Sequence, residues 1–358
     1  MARPVEGKRP ERVAVDEDHR VVAVTGGSSF LGSRLIQAME EDRRYYKVLA
    51  IDVKKPTFPL AKTQFHRVDL TLPSAGAAVA SVLKREGADT FVHLAFLSDF
   101  THRQEWAHEL ESVGTMHALN ACAECRIARY VHWSLTACYG AKATNPNYLT
   151  EDHPLPDMGE SNFLADKIEA ERQVAQFTRE NPGASVTVLR TAPIVGPTIS
   201  NFVTRYLSHR FVPTLLGYDP LIQLLHEQDA VDALKLVVDR RTDGVFNIVG
   251  RGVLPLVTAL ALMGRVPVPI PYSAAVSAAR ALWMAQLVNV PPGFMDFLRY
   301  LWVADGGKAA RSLGWTSRYH LHDIIASVAG VERVAAVSGR DVSADRATRP
   351  SSLGRTSI

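Results

Sequence analysis

Cysteine is scarce in this chain, with three residues in 358. Three thiols cannot form a disulfide framework for a chain of this length, which points to a reducing, cytoplasmic setting. Charge of one sign is also lacking. Forty Lys and Arg stand against 37 Asp and Glu, a formal net charge of +3. No basic stripe marks a nucleic-acid surface, so no nucleic-acid partner is expected. Long apolar runs are missing too. The best candidate, Val266–Val288, is broken by Pro267, Pro269, Pro271 and Arg280. It does not supply the ~20 apolar residues of a spanning helix, and leaves room only for peripheral membrane contact. Met1–Arg20 mixes charges and lacks the apolar core of a secretory signal. Cys122 and Cys125 have no second pair with which to hold zinc, and they fall late in an expected helix, so they read as packed thiols. His320-Leu321-His322 has ligand-like spacing but lies near the end of the fold. No metal is expected.

What the chain does have is alternation. Apolar runs at Val21–Thr25, Lys47–Asp52, Thr90–Ala95, Tyr130–Ser134 and Ser185–Arg190 read as strands. Helical spacing falls between them at Leu31–Glu40, Ala75–Glu86, Glu105–Glu124 and Asn162–Glu180. Such βαβα order implies a parallel sheet covered on both faces. The expected fold is α/β: a Rossmann-type doubly wound parallel sheet with a smaller α/β C-terminal lobe. The first domain spans 20–196. The lobe spans 197–334, is partly interleaved with the first domain, and includes a short strand at Gly244–Val249. A strand near Gln223–Leu225 would return to the first domain. The aperiodic, polar ends, 1–19 and 335–358, are expected to be disordered tails.

The chemistry begins at Thr25-Gly26-Gly27-Ser28-Ser29-Phe30-Leu31-Gly32. A β-branched run ends in a glycine turn that opens into a helix. Backbone N–H groups and the positive end of the helix dipole then meet at one anion site, suited to a pyrophosphate. Gly26, Ser28, Ser29, Phe30, Leu31 and Gly32 are the expected contacts. Asp52 lies 20 residues past Gly32, at the end of the second strand. An acid there accepts bonds from ribose hydroxyls and repels a 2′-phosphate, which favours NAD over NADP. Asp69 and Leu70, on a short strand at Val68–Leu70, would face the adenine. Leu94, Ala95 and Phe96 end a buried strand, with small Ala95 letting the cofactor pass. His93 lies inside that apolar run and reads as a satisfied core histidine.

At this point the chain resembles the extended short-chain dehydrogenase/reductases, the NAD-dependent epimerase/dehydratase family. The resemblance runs from about Val21 to Val334. Besides the turn, it rests on Asp52, Asp69-Leu70, His93-Leu94-Ala95, Gly114-Thr115, Arg129-Tyr130-Val131, Tyr139-Gly140, Lys167, Leu189-Arg190, Gly196-Pro197, His226–Ala230 and Leu313-Gly314-Trp315. It is nearest to a bacterial UDP-glucose 4-epimerase-like subgroup with a degenerate active site. Ser29 stands at the family's middle turn glycine. The resemblance implies NAD binding, with Ser134 and Lys167 among the cofactor contacts. It also implies a small-molecule substrate, by default a nucleotide-sugar. Glu105–Glu124 and Asn162–Glu180 become candidate helices of a homodimer.

Family chemistry uses a Tyr phenol to move the substrate's hydroxyl proton. A Lys four residues on lowers the phenol pKa, and a Ser or Thr positions the same hydroxyl. Lys167 and Glu171 fit this pattern. The Tyr position holds Phe163, and the hydroxyl position falls on Leu135. Thr136, one residue along, is the nearest hydroxyl, with Tyr139 and Asp166 close by in sequence. The catalytic candidates are therefore Lys167 and Thr136. The leading expectation is a sugar-nucleotide epimerase, dehydratase or reductase with a non-standard site. A catalytically silent NAD-binding regulatory or assembly protein is one alternative. The apolar loops Phe96–His102 and Pro213–Tyr218 support another, a hydroxysteroid- or lipid-alcohol-directed dehydrogenase. Arg205, Arg210 and Arg251 are candidates to meet a substrate diphosphate.

Overall fold

The structure is a computed structural model and describes residues 20–156 and 162–329. The expected tails, 1–19 and 335–358, lie outside the described residues. Seven parallel strands form the central sheet. They are β1 (Arg20–Thr25), β2 (Tyr45–Asp52), β3 (Thr63–Arg67), β4 (Thr90–His93), β5 (Arg129–Leu135), β6 (Ser185–Thr191) and β7 (Gly244–Ile248), in the order β7-β6-β5-β4-β1-β2-β3. Every residue of β1 is buried, as a parallel strand covered on both faces requires. Its side chains alternate between two cores. Val22 and Val24 join one cluster with Leu35 and Ile36, while Val21 and Ala23 join the other with Leu49 and Ile51.

The helices that matter for the site are α1 (Phe30–Glu40), α2 (Ala75–Glu86), α3 and α4 (Asn162–Glu180). Helix α3 is built from Gln104–His108, a π-helical turn Glu109–Val113, and Gly114–Glu124. It packs against α4 within the chain. Cys122 is buried on its inner face, and Cys125 follows its last turn.

Two elements differ from expectation. The Gly244 strand is not part of the small lobe. It pairs in parallel with β6 as the edge of the main sheet, because its buried residues Phe246 and Ile248 complete the first core. The expected strand at Val68–Leu70 is replaced by Thr63–Arg67, which pairs with β2, and Val68–Leu70 lie just beyond its end. The return near Gln223 is seen as Leu225–His226 pairing with Ile194–Val195. The following helix α5 (Glu227–Asp239) packs beside α1.

Much of the rest of the chain forms a lobe with its own core, including Val212, Leu224, Leu256, Leu260 and Ile324, while Ala304, Ala309, Leu313 and Trp315 pack into the first core. Its outer helix is α6 (Tyr272–Met284). Among the described residues no helix is long and apolar enough to cross a membrane. Nor is any group of three or more His, Cys, Asp or Glu placed to hold a metal ion.

Candidate functional site

The site is built on the turn between β1 and α1. Gly26 has φ +67°, and a Cβ there would lie 2.4 Å from the Leu94 carbonyl oxygen. A Cβ on Gly32 would lie 2.2 Å from the Gly26 oxygen. Both positions therefore exclude side chains by contact with backbone. Ser29 does not strain the turn. Its φ of −65° is ordinary for an L-residue, and its hydroxyl caps α1 by accepting from Gly32 N. The first N–H groups of α1, at Phe30 and Leu31, have no carbonyl within the helix to bond.

A cavity of about 290 Å³ opens at this helix end. Ser29, Phe30, Leu31, Leu94 and Phe96 line one side, and Trp133 and Leu135 line the floor. Strand β5 turns alternate residues to opposite faces, so Ser134, between those two, points away. Its hydroxyl donates to Glu171, which Arg190 grips from Nε and Nη2. The expected cofactor role of Ser134 is thus not supported by its placement.

Asp52 reaches back over the turn. One carboxylate oxygen accepts from Ser28 N and Ser28 Oγ, both at 2.8 Å. The other accepts from Val53 N at 2.6 Å and Lys54 N at 3.3 Å. The acid therefore also shapes the turn, beyond the ribose contact expected of it. Asp69 closes on Thr71 N and Oγ1, and Leu70 is buried against Gly114. Neither lines the cavity. Ala95 packs into the second core, behind the turn.

The two catalytic candidates do not reach the cleft. Thr136 is buried and its hydroxyl donates to the Thr191 carbonyl. Lys167 is almost fully buried. Its Nζ lies 3.0 Å from both carboxylate oxygens of Glu111. The ammonium also sits 4.5 Å from the Phe96 ring centre and 4.9 Å from that of Phe163. Burial pushes the Glu111 carboxyl above its usual range, and the Lys167 charge opposes this. Glu111 also accepts from Leu97 N. It stands in the π-helical turn of α3, whose extra residue changes which side chains face inward. Glu111 carries no local mark in the sequence, because the partner that explains it, Lys167, is 56 residues away.

The remaining proton-bearing groups are also engaged. Tyr139 donates to Asn247 Oδ1 and accepts from Arg190, and burial raises its phenol pKa. Asp166 pairs with His108. His93 is wholly buried between Thr25 and Thr115. Burial pushes it down to about 3, with the Lys167 charge adding to the effect. Phe163 packs edge-on against Phe100, which also meets Phe202 and Phe294. Among the described residues, the cleft lining contains no Asp, Glu, His, Lys, Arg, Tyr or Cys.

The arginines proposed for a diphosphate lie elsewhere. Arg205 pairs with Asp99, Arg210 stacks on Phe211, and Arg251 bridges to His320 through backbone.

A parallel sheet in the order found here, with a glycine turn leading into α1, defines a dinucleotide-binding α/β protein. The chain belongs to the NAD dependent epimerase/dehydratase family, whose model matches residues 22–249. It is 33% identical over 260 residues to an uncharacterized protein of Mycobacterium tuberculosis, covering 70% of this chain and 68% of that one. It is 25% identical over 323 residues to a 4-hydroxy-2-methyl-3-oxo-4-farnesyl-3,4-dihydroquinoline-1-oxide ketoreductase of Stigmatella aurantiaca, covering 82% and 91%. Its fold matches that of a dTDP-glucose 4,6-dehydratase from Streptomyces venezuelae, solved with NAD bound. The TM-score is 0.68 at 19% identity, covering 87% of this chain and 97% of that one.

Proposed function

We propose that this chain holds NAD(H) at the Gly26–Gly32 turn and does not run the phenol relay of its family. The residues fit the cofactor. Helix α1 offers free N–H groups, Gly26 and Gly32 keep the turn tight, and Asp52 stands beside it. When bound, NAD supplies hydride transfer. The observation that carries the second half is the cleft lining, which has no titrating side chain among the described residues. Lys167 cannot assist a phenol, because Phe163 has none and Glu111 holds its ammonium. A nucleotide-sugar is the default ligand, since the dehydratase of matching fold is named for one.

Native mass spectrometry of the purified chain tests the first half, with retained NAD or NADH expected. Absorbance at 340 nm during incubation with UDP-glucose tests the second. The variant Phe163→Tyr/Leu135→Ser/Glu111→Gln should reduce or oxidise bound cofactor at least ~100-fold faster than the native chain, the usual worth of a general acid/base. Equal, fast turnover by the native chain would overturn the reading.

A second reading rests on a different observation. The cleft and the lobe beside it are mostly apolar, and the Stigmatella ketoreductase is named for a ligand with a farnesyl chain. This supports a lipid-like alcohol or ketone as the alternative ligand.

A further inference from the structure

A second cavity, of about 330 Å³, lies in the small lobe against the cofactor cleft. The two share Pro193, Phe202, Val203, Phe294 and Trp302 as walls. We infer that this second cavity receives the hydrocarbon chain of a lipid-like ligand, an acyl, isoprenoid or steroid skeleton, whose polar end faces the cleft. The inference deepens the second reading above and rests on it for the direction of the polar end.

The wall chemistry selects the class. No Asp, Glu, His, Lys or Arg lines the cavity among the described residues. The polar side chains there are mostly spent on the protein itself. Tyr206 donates to the Pro213 carbonyl, Gln223 clamps the Ala304 backbone from both ends of its amide, and Trp302 donates to the Phe297 carbonyl. Thr214 adds one hydroxyl. A phosphate or sugar would lose its water there and find almost nothing in return, at prohibitive cost. A hydrocarbon chain loses nothing by the same move. The aromatic cluster of Phe100, Phe163, Phe202 and Phe294 extends that apolar surface to the position of the missing phenol.

The outer wall points the same way. Ala275, Ala278 and Ala279 of α6 close the cavity with small side chains. The end of this helix turns Leu282 and Met284 outward, and Leu287 follows, with Met284 77% and Leu287 72% exposed. A chain-bearing ligand therefore enters past an apolar rim.

The experiment is a fluorescence titration of the full chain with cis-parinaric acid, then displacement by straight-chain alcohols from hexanol to decanol. Parinaric acid should bind, and alcohol affinity should rise about threefold to fourfold per added methylene. Ala279→Trp fills the cavity and should weaken the probe at least ~tenfold while NADH affinity stays unchanged. Ala278→Trp, on the exposed rim, replaces it if the first variant does not fold. No probe binding, alcohol affinity independent of chain length, or full-strength binding by the folded variant would each overturn the inference. NADH is titrated separately. Its binding without probe binding sinks only the chain site, and probe binding without NADH sinks only the cofactor reading.

Discussion

His93 and His132 are buried with their rings 5.7 Å apart. Burial holds both below the ordinary histidine value; the Lys167 charge adds to it for His93, and the His93 and Lys167 charges for His132. The unfolded chain takes up these protons near pH ~6.5, whereas the folded chain does not. Below that value the unfolded state binds more protons, so stability is present above ~6.5 and is lost as pH falls. Urea titrations from about pH 7 to about pH 5.5 should show a loss approaching ~1.4 kcal/mol per pH unit for each histidine. A flat profile would show that these rings are hydrated. The hydrogen bonds around His93 agree on one neutral form. Thr25 Oγ1 accepts from Leu94 N and donates to Nδ1, while Thr115 Oγ1 donates to the Glu111 carbonyl and accepts from Nε2. The position of His93 within an apolar run made its core role readable from the chain alone. Glu111 was not readable in this way, because its partner Lys167 is 56 residues away.

At the scale of elements, the turn and the end of β2 act as one unit. Asp52 fastens Ser28 through two bonds while keeping its charge beside the turn. Asp52→Asn retains an acceptor and removes that charge. The ratio of NADP to NAD dissociation constants should fall at least ~tenfold, equal to ~1.4 kcal/mol, as measured by isothermal titration. An unchanged ratio would mean that Asp52 serves the turn alone. The glycine pattern announced this unit because the φ of +67° at Gly26 and the contact of Gly32 with the Gly26 oxygen are both local to the turn, although Gly26 also meets Leu94 far along the chain. The π-helical turn of α3 has no such local mark. It packs against α4, where Lys167 and Glu111 meet away from water. The same holds for Ser134. Its place in the chain suits a cofactor contact, but the pleat of β5 aims it at Glu171.

For the whole molecule, Asn247 on β7 is a joint. Its amide donates to the Leu149 and Asp305 carbonyls and accepts from Tyr139, while its backbone N–H donates to Glu151. The side chain thereby ties the sheet edge to two segments, at Leu149 and Asp305, that are far apart in the chain. Asn247→Ala removes three buried hydrogen bonds, while the Leu149 carbonyl keeps Asp305 N and the Tyr139 hydroxyl keeps Arg190, and should cost about 2–4 kcal/mol. Urea unfolding should show a lower midpoint at unchanged slope. A loss below ~1 kcal/mol would mean that water replaces the amide.

The sequence by itself determined the doubly wound parallel fold, the glycine turn, and the absence of a hydroxyl from the side chains at Phe163 and Leu135. Each of these follows from short-range sterics, strand and helix periodicity, or the chemistry of a single side chain. Only the tertiary structure decided that Lys167 is neutralised by Glu111, that Thr136 and Ser134 turn away from the cleft, and that an apolar cavity adjoins it. Those outcomes depend on which distant surfaces meet and exclude water, and burial of that kind leaves no periodic trace along the chain.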